Sequence, residues 1–324
     1  MVPAAADAIL DVDLLAFERG DRRARAAVID GVRRSLATGF VYSSSDLSEA
    51  LLDEVYGLLG RFFRLEPEAK QRFHAAGSSG QSGYTGLLVE TAAGSERADW
   101  KEMLNWSAPP AAEHPLRRRY PMLYPEPLLP EAAVPGISAV LRRFHSELAM
   151  LQRRFLRVIA LGMGCAEDFF DEITQDAPTL SRAIRYPSMA EAPAGGHVWA
   201  AAHGDINLIT ALPRATAPGL QVEVNGAWVD ATPPEGRVII NSGIMLERLS
   251  NGTIPVGWHR VVAPEGGTDE RLSVVQFCHA RPWTVLAPVP SCCSAAHPPR
   301  WAGLSAADAL EEVLHRIRLL EDPG

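Results

Sequence analysis

The sequence predicts an α+β protein, in which an amino-terminal helical portion shares one core with a carboxy-terminal sandwich or barrel of short strands. Three observations predict it. Up to about residue 175 the apolar residues recur with helical spacing. After Pro178 the chain becomes short alternating segments separated by Pro, Gly and Asn. No internal repeat or composition break marks an independent second unit, so the 324 residues are read as one domain. Its parts are a mostly helical portion over 1–175, a strand-rich core over 176–290 and a loop with a final helix over 291–324.

In "DRRARAAVIDGVRRSLATGF" the residues Val28, Val32 and Leu36 recur every four positions, and Gly39 stops the pattern before the strand-like "FVYS". A second helix, capped at Ser45 or Asp46, buries Leu51, Leu52, Val55, Leu58, Leu59 and Phe62. The stretch "HAAGSSGQSGYTG", residues 74–86, is rich in Gly and Ser and reads as a loop or flexible hairpin, a mobile cover anchored by Tyr84. The longest helix runs from about Ile137 to Ile159 and looks like the spine of a sheet. Beyond Pro178, "QVEVNGAWVDA" is a hairpin signal, because Asn225-Gly226 suits a type I′ turn. The tail "SAADALEEVLHRIRLL" reads as a helix capped by Ser305.

The chain carries 31 basic and 39 acidic residues, a net charge of −8, which argues against a nucleic-acid or anionic-membrane partner. No apolar run approaches the roughly 18 residues of a spanning helix, and the first residues lack the basic region of a signal peptide, so a cytoplasmic location is expected. Cys165, Cys278, Cys292 and Cys293 contain no CxxC and read as reduced thiols. Lys70 and Lys101 are the only lysines among the 31 basic residues, a bias that fits a GC-rich bacterial genome.

"AAHGDINLITAL", residues 201–212, sets His203 and Asp205 two positions apart, which on a strand puts both side chains on one face. A chance HxD is common, so a third ligand must come from a later strand. His259, opening the apolar "HRVVAP", is the candidate. Two imidazoles and one carboxylate form the facial triad suited to non-haem Fe(II), with zinc chemically open. Farther along, Arg271 and Ser273 of "RLSVVQF" share a strand face and can converge on one carboxylate.

The order HxD, hairpin, "NSGIMLERLSNG", distal His and RxS resembles the isopenicillin N synthase-like family of Fe(II)/2-oxoglutarate dioxygenases. The resemblance is strongest over about residues 180–282, and "ILDVDL", "ATGFVY", "RFFRLEPEAKQRF", "GYTG" and "DWKEMLNW" extend it over nearly the whole chain. It implies a double-stranded β-helix, or jelly roll, with flanking helices at both ends. It also implies that His203, Asp205 and His259 hold iron, that Arg271 and Ser273 bind the distal carboxylate of 2-oxoglutarate, and that Tyr186 of "IRYP" helps. The implied chemistry couples decarboxylation of 2-oxoglutarate by dioxygen to oxidation of a small molecule, by hydroxylation, desaturation or cyclisation, in bacterial specialised metabolism.

Two features depart from the common pattern. Ile184 stands where many plant members carry Asn, and Arg185 is shared with isopenicillin N synthase itself, which uses no 2-oxoglutarate. The tail lacks the glutamine of that synthase. The alternatives are therefore a 2-oxoglutarate-independent oxidase and a non-catalytic jelly roll that binds a small ligand. Tyr84, Trp199, Phe277 and Arg185 are the candidate substrate contacts, and His197, His279 and His297 read as pocket-lining or surface groups. The sequence leaves substrate and oligomeric state open.

Overall fold

The computed structural model describes residues 9–92, 95–264 and 269–316. The chain opens with β1 (Asp11–Val12), α1 (Leu14–Arg19), α2 (Arg22–Ser35), β2 (Phe40–Ser44), α3 (Glu49–Phe63), α4 (Pro67–Gln71), β3 (Gly83–Thr85) and β4 (Glu102–Ser107). Then come α5 (Pro115–Arg119), α6 (Ile137–Gly162) and α7 (Phe169–Thr174). The strand-rich part holds β5 (Leu180–Tyr186), β6 (Ala200–His203), β7 (Ile209–Leu212), β8 (Leu220–Val224), β9 (Ala227–Asp230), β10 (Arg237–Ser242), α8 (Ile244–Leu249), β11 (His259–Val261) and β12 (Arg271–Cys278). The final described helix is α9 (Ala306–Arg316), where Ser305 Oγ accepts the Asp308 amide at 3.1 Å; residues 317–324 lie outside the described residues.

Two sheets make a jelly roll. The larger runs β1-β2-β10-β7-β12-β5-β4-β3, and the smaller runs β6-β11-β8-β9. The stretch expected to be mostly helical thus contributes β1 to β4 to the larger sheet. Asn225 and Gly226 both adopt positive φ, 54° and 80°, as the β8–β9 turn requires. The second helix begins later than its cap signal suggested. Ser48 caps it by accepting the Leu51 amide, while Asp46 is drawn away to Arg154.

The helix α6 lies across the outer face of the larger sheet because one stripe, including Ile137, Leu141, Phe144, Leu148, Leu151 and Phe155, is apolar and buried. Each such side chain contributes roughly 1.5–3 kcal/mol by leaving water. The polar members of the stripe are matched to the strands. Gln152 Nε2 donates to the carbonyls of Ile209 and Gln276, and His145 Nδ1 meets Ser181 Oγ at 2.8 Å.

Burial pushes His145 from its ordinary 6.5 down to about 4. Between those values the unfolded chain binds a proton that the native protein does not, so stability is full above pH 6.5 and falls as pH drops toward 4. The loss attributable to this one group approaches about 3 kcal/mol. Urea unfolding midpoints of the metal-free protein should therefore fall across this window, and less steeply in His145→Gln. Equal slopes in both proteins would show that His145 is not the group responsible.

Candidate metal centre and its cavity

His203 is the last residue of β6 and His259 the first of β11, and the antiparallel register sets them directly opposite one another. Their ring centroids are 4.3 Å apart. Asp205 lies two residues beyond the end of β6, on the turn leading to β7, so the shared face expected for a strand is supplied by the turn instead. One ligand atom from each of the three lies within 4.8 Å of the others.

The remaining polar atoms of the three side chains are already committed. His203 Nδ1 meets the Ala201 carbonyl at 2.8 Å and His259 Nδ1 meets the Gly257 carbonyl at 3.0 Å. Since a carbonyl only accepts, each Nδ1 carries the proton and each Nε2 keeps its lone pair. Asp205 Oδ2 accepts from Thr210 Oγ1 and from Asn241 Nδ2, which leaves Oδ1. Two imidazole nitrogens and one carboxylate oxygen thus converge unprotonated, a donor set that fits Fe(II).

The surroundings favour these charge states. Burial, with His259 alongside, pushes His203 down to about 4, so its imidazole is neutral at pH 7. Burial acts to raise the Asp205 carboxyl, but the two histidines and the bonds from Thr210 and Asn241 hold it below the usual range. A close backbone approach sets one of these side chains. Gly39, at φ 84°, stands so near Gly257 that a Cβ on it would meet the Gly257 Cα at 2.5 Å, and Gly257 is the residue whose carbonyl orients His259.

From this centre opens a cavity of about 490 Å³, in the size range of small-molecule sites. Arg271 and Ser273 both project into it from β12, each 5% exposed. Arg271 Nη1 donates to Ser273 Oγ at 3.0 Å and Nε to the Ala217 carbonyl at 3.1 Å. Its guanidinium lies 5.2 Å from the centre of the Tyr186 ring, which stands opposite it in the β5–β12 register and also lines the cavity. Phe277 forms part of the wall as well.

Three expected substrate contacts lie elsewhere. Arg185 alternates away from Arg182, Ile184 and Tyr186 to the opposite face of β5, where it pairs with Glu102 and Glu270. Tyr84 packs edge-on against Phe62 and donates to Glu102 at 2.6 Å, behind the sheet. Trp199 is buried beneath Tyr186, its Nε1 held by the Pro187 carbonyl. Nor is the Gly/Ser stretch a free cover. Ser82 Oγ bonds the Glu126 carbonyl and the Leu128 amide, and residues 83–85 are β3 itself.

The structure brings in residues that the sequence did not single out. Gln81, Glu90, Asp99, Lys101 and Arg182 line the cavity together with His279, one of the histidines read above as pocket-lining or surface groups. Leu310, Val313 and Leu314 of α9 also line the cavity, a role that the helix's one-sided apolar pattern could have suggested.

Comparison with known proteins agrees with this geometry. Residues 179–280 match the 2OG-Fe(II) oxygenase superfamily, and residues 9–131 match the family described as non-haem dioxygenase in morphine synthesis N-terminal. A 2-oxoglutarate-Fe(II) type oxidoreductase of Aspergillus fumigatus is 28% identical over 84% of this chain and 82% of that protein. A crystal structure described as a putative 2OG-Fe(II) oxygenase family protein from Caulobacter crescentus superposes with a TM-score of 0.83 at 29% identity, covering 96% of this chain and 99% of that one. A Neurospora crassa protein, solved in complex with alpha-KG and thymine, shares the fold with a TM-score of 0.82 at 24% identity, over 95% of this chain and 97% of that one.

The chain belongs to the Fe(II)/2-oxoglutarate oxygenase superfamily. It is a 2-oxoglutarate-dependent dioxygenase whose cofactor and cosubstrates are Fe(II), 2-oxoglutarate and dioxygen. Among the described residues no helix is long and apolar enough to cross a membrane.

Proposed function

We propose that His203, Asp205 and His259 hold the iron, that Arg271 and Ser273 bind the distal carboxylate of 2-oxoglutarate beside Tyr186, and that the enzyme oxidises a small molecule in bacterial specialised metabolism. The observation that carries the reading is the commitment of both Nδ1 atoms and of Asp205 Oδ2, which leaves three lone-pair donors facing one point at the end of a cavity that also contains a guanidinium and a hydroxyl. Iron bound there supplies activation of dioxygen. The protein's own residues orient the cosubstrate, keep the ligands in their donor states and exclude water.

The cavity also informs the substrate. Its lining mixes apolar residues, among them Ile206, Ile244, Val256, Leu310 and Val313, with polar and charged ones, among them Gln81, Glu90, Arg182, Glu247 and Glu312. That mixture suits a small molecule with both apolar and hydrogen-bonding parts. Hydroxylation, desaturation and cyclisation are all compatible with this arrangement, because the outcome depends on which substrate carbon faces the iron.

Anaerobic addition of 2-oxoglutarate to the Fe(II)-loaded protein should give a weak visible charge-transfer band, followed by succinate formation when oxygen is admitted. A protein that binds iron and 2-oxoglutarate but never shows the band would refute bidentate chelation at this centre.

A further inference from the structure

The segment Asp99-Trp100-Lys101-Glu102 enters the fold immediately before and within β4, and its side chains serve different layers. Glu102 faces the helical side, where it meets Lys70, Tyr84 and Arg185. Trp100 Nε1 bonds the Ser188 carbonyl. Asp99 and Lys101 face the cavity instead, where they are 1% and 5% exposed. Lys101 Nζ stands 2.8 Å from Asp99 Oδ2 and 2.5 Å from Glu90 Oε1. Burial acts to raise the Glu90 carboxyl, yet Lys101 and Arg182 hold it at about 2, so Glu90 stays ionised beside Lys101.

What Asp99 does with its other oxygen connects this cluster to the metal centre. Among the described residues β6 is an edge strand of its sheet, with β11 as its neighbouring strand. The pairing is irregular: His203 faces His259 and Ala200 faces Val261, so Ala201 and Ala202 together stand opposite the single residue Arg260. Such a bulge on an edge re-aims the side chains that follow it, and an edge bulge has little of its own to fix it. Here Asp99 Oδ1 accepts the Ala201 amide at 3.0 Å, and the Trp100 amide donates to the Val198 carbonyl at 2.8 Å. The segment stands in for the missing neighbouring strand. Ala201, whose amide Asp99 holds, is also the residue whose carbonyl receives the His203 Nδ1 proton.

We infer that Asp99, itself held by Lys101, is a positioning residue for the metal centre: through the Ala201 backbone it fixes the β6 bulge that aims His203 at His259 and Asp205. The inference rests on His203 being an iron ligand. Asp99 touches neither iron nor cosubstrate in this account, and its effect passes wholly through the strand.

Anaerobic Fe(II) titration of the full chain, by calorimetry and by the iron-induced rise in melting temperature, tests it. Asp99→Ala should bind Fe(II) about 10–100-fold more weakly, the range expected when a group that orients a metal ligand is lost. Its iron-induced rise in melting temperature should shrink, whereas a merely structural role would lower the melting temperature equally with and without iron. Asp99→Asn keeps an oxygen for the Ala201 amide and should bind iron more nearly like the wild type than Asp99→Ala does. Should Asp99→Ala fail to fold, Lys101→Met decides: weaker iron binding supports the inference, and unchanged binding overturns it. His203→Ala separates the two readings. If it loses iron while Asp99→Ala binds as tightly as the wild type, the inference fails alone; if it too binds like the wild type, the ligand assignment fails and the inference with it.

Discussion

His203→Ala is expected to lose Fe(II) binding altogether in the micromolar range, and with it the charge-transfer band and all succinate formation. Removing an outer partner of a metal ligand costs roughly 10–100-fold in affinity, and removing the ligand itself takes away a bond rather than its alignment. Only two donors would remain, His259 Nε2 and Asp205 Oδ1. The fold should survive, since His203 ends its strand and is only partly buried, with one internal hydrogen bond, from Nδ1 to Ala201. Far-ultraviolet circular dichroism and the metal-free melting temperature should therefore stay near those of the wild type. Iron retained at one equivalent by His203→Ala, with the visible band intact, would remove His203 from the ligand set and direct attention to His279, the other histidine on the cavity wall.

The grouping of His203, Asp205 and His259 was readable in the sequence because metal chemistry restricts residue type and spacing, although a turn and not the strand itself places Asp205. HxD, a later His on an apolar strand and RxS on the next leave few other arrangements. Helices were readable for a similar reason: the stripe on α6 is periodic, and its apolar residues determine which side meets the sheet. Which of the four candidate substrate contacts line the cavity was not: Phe277 does, and Tyr84, Trp199 and Arg185 do not. Arg185 and Tyr186 are neighbours in sequence but lie on opposite faces of β5, and only the register with β12 shows that Tyr186, opposite Arg271, is the inward one. Tyr84 and the Gly/Ser stretch misled for another reason. Composition reports the freedom of an isolated chain, whereas Ser82 is held by contacts with residues 126 and 128, more than forty positions away. The polar lining was hidden in the same way. Glu90, the pair Asp99 and Lys101, and Arg182 come from three separate segments, and nothing local in "DWKE" shows that Lys101 points to the cavity while Glu102 points to the helices.

Arg271→Ala is expected to weaken 2-oxoglutarate binding by about ten- to a hundredfold or more while leaving iron affinity unchanged. A charge-assisted contact able to form two parallel bonds is worth roughly 1.5–3 kcal/mol, and here the guanidinium is 5% exposed, so little water screens it. Two of its nitrogens are already committed, Nε to the Ala217 carbonyl and Nη1 to Ser273 Oγ, which holds the plane of the group in place before any cosubstrate arrives. Lysine can supply the charge but not that planar fork, so Arg271→Lys should recover only part of the loss. The comparison that isolates the contact uses 2-oxobutanoate, which keeps the chelating keto acid and lacks the distal carboxylate. Wild type and Arg271→Ala should bind it equally, because the atoms that Arg271 would meet are absent. A variant that binds both keto acids less well by the same factor would show that Arg271 supports the cavity in general and does not clamp the carboxylate.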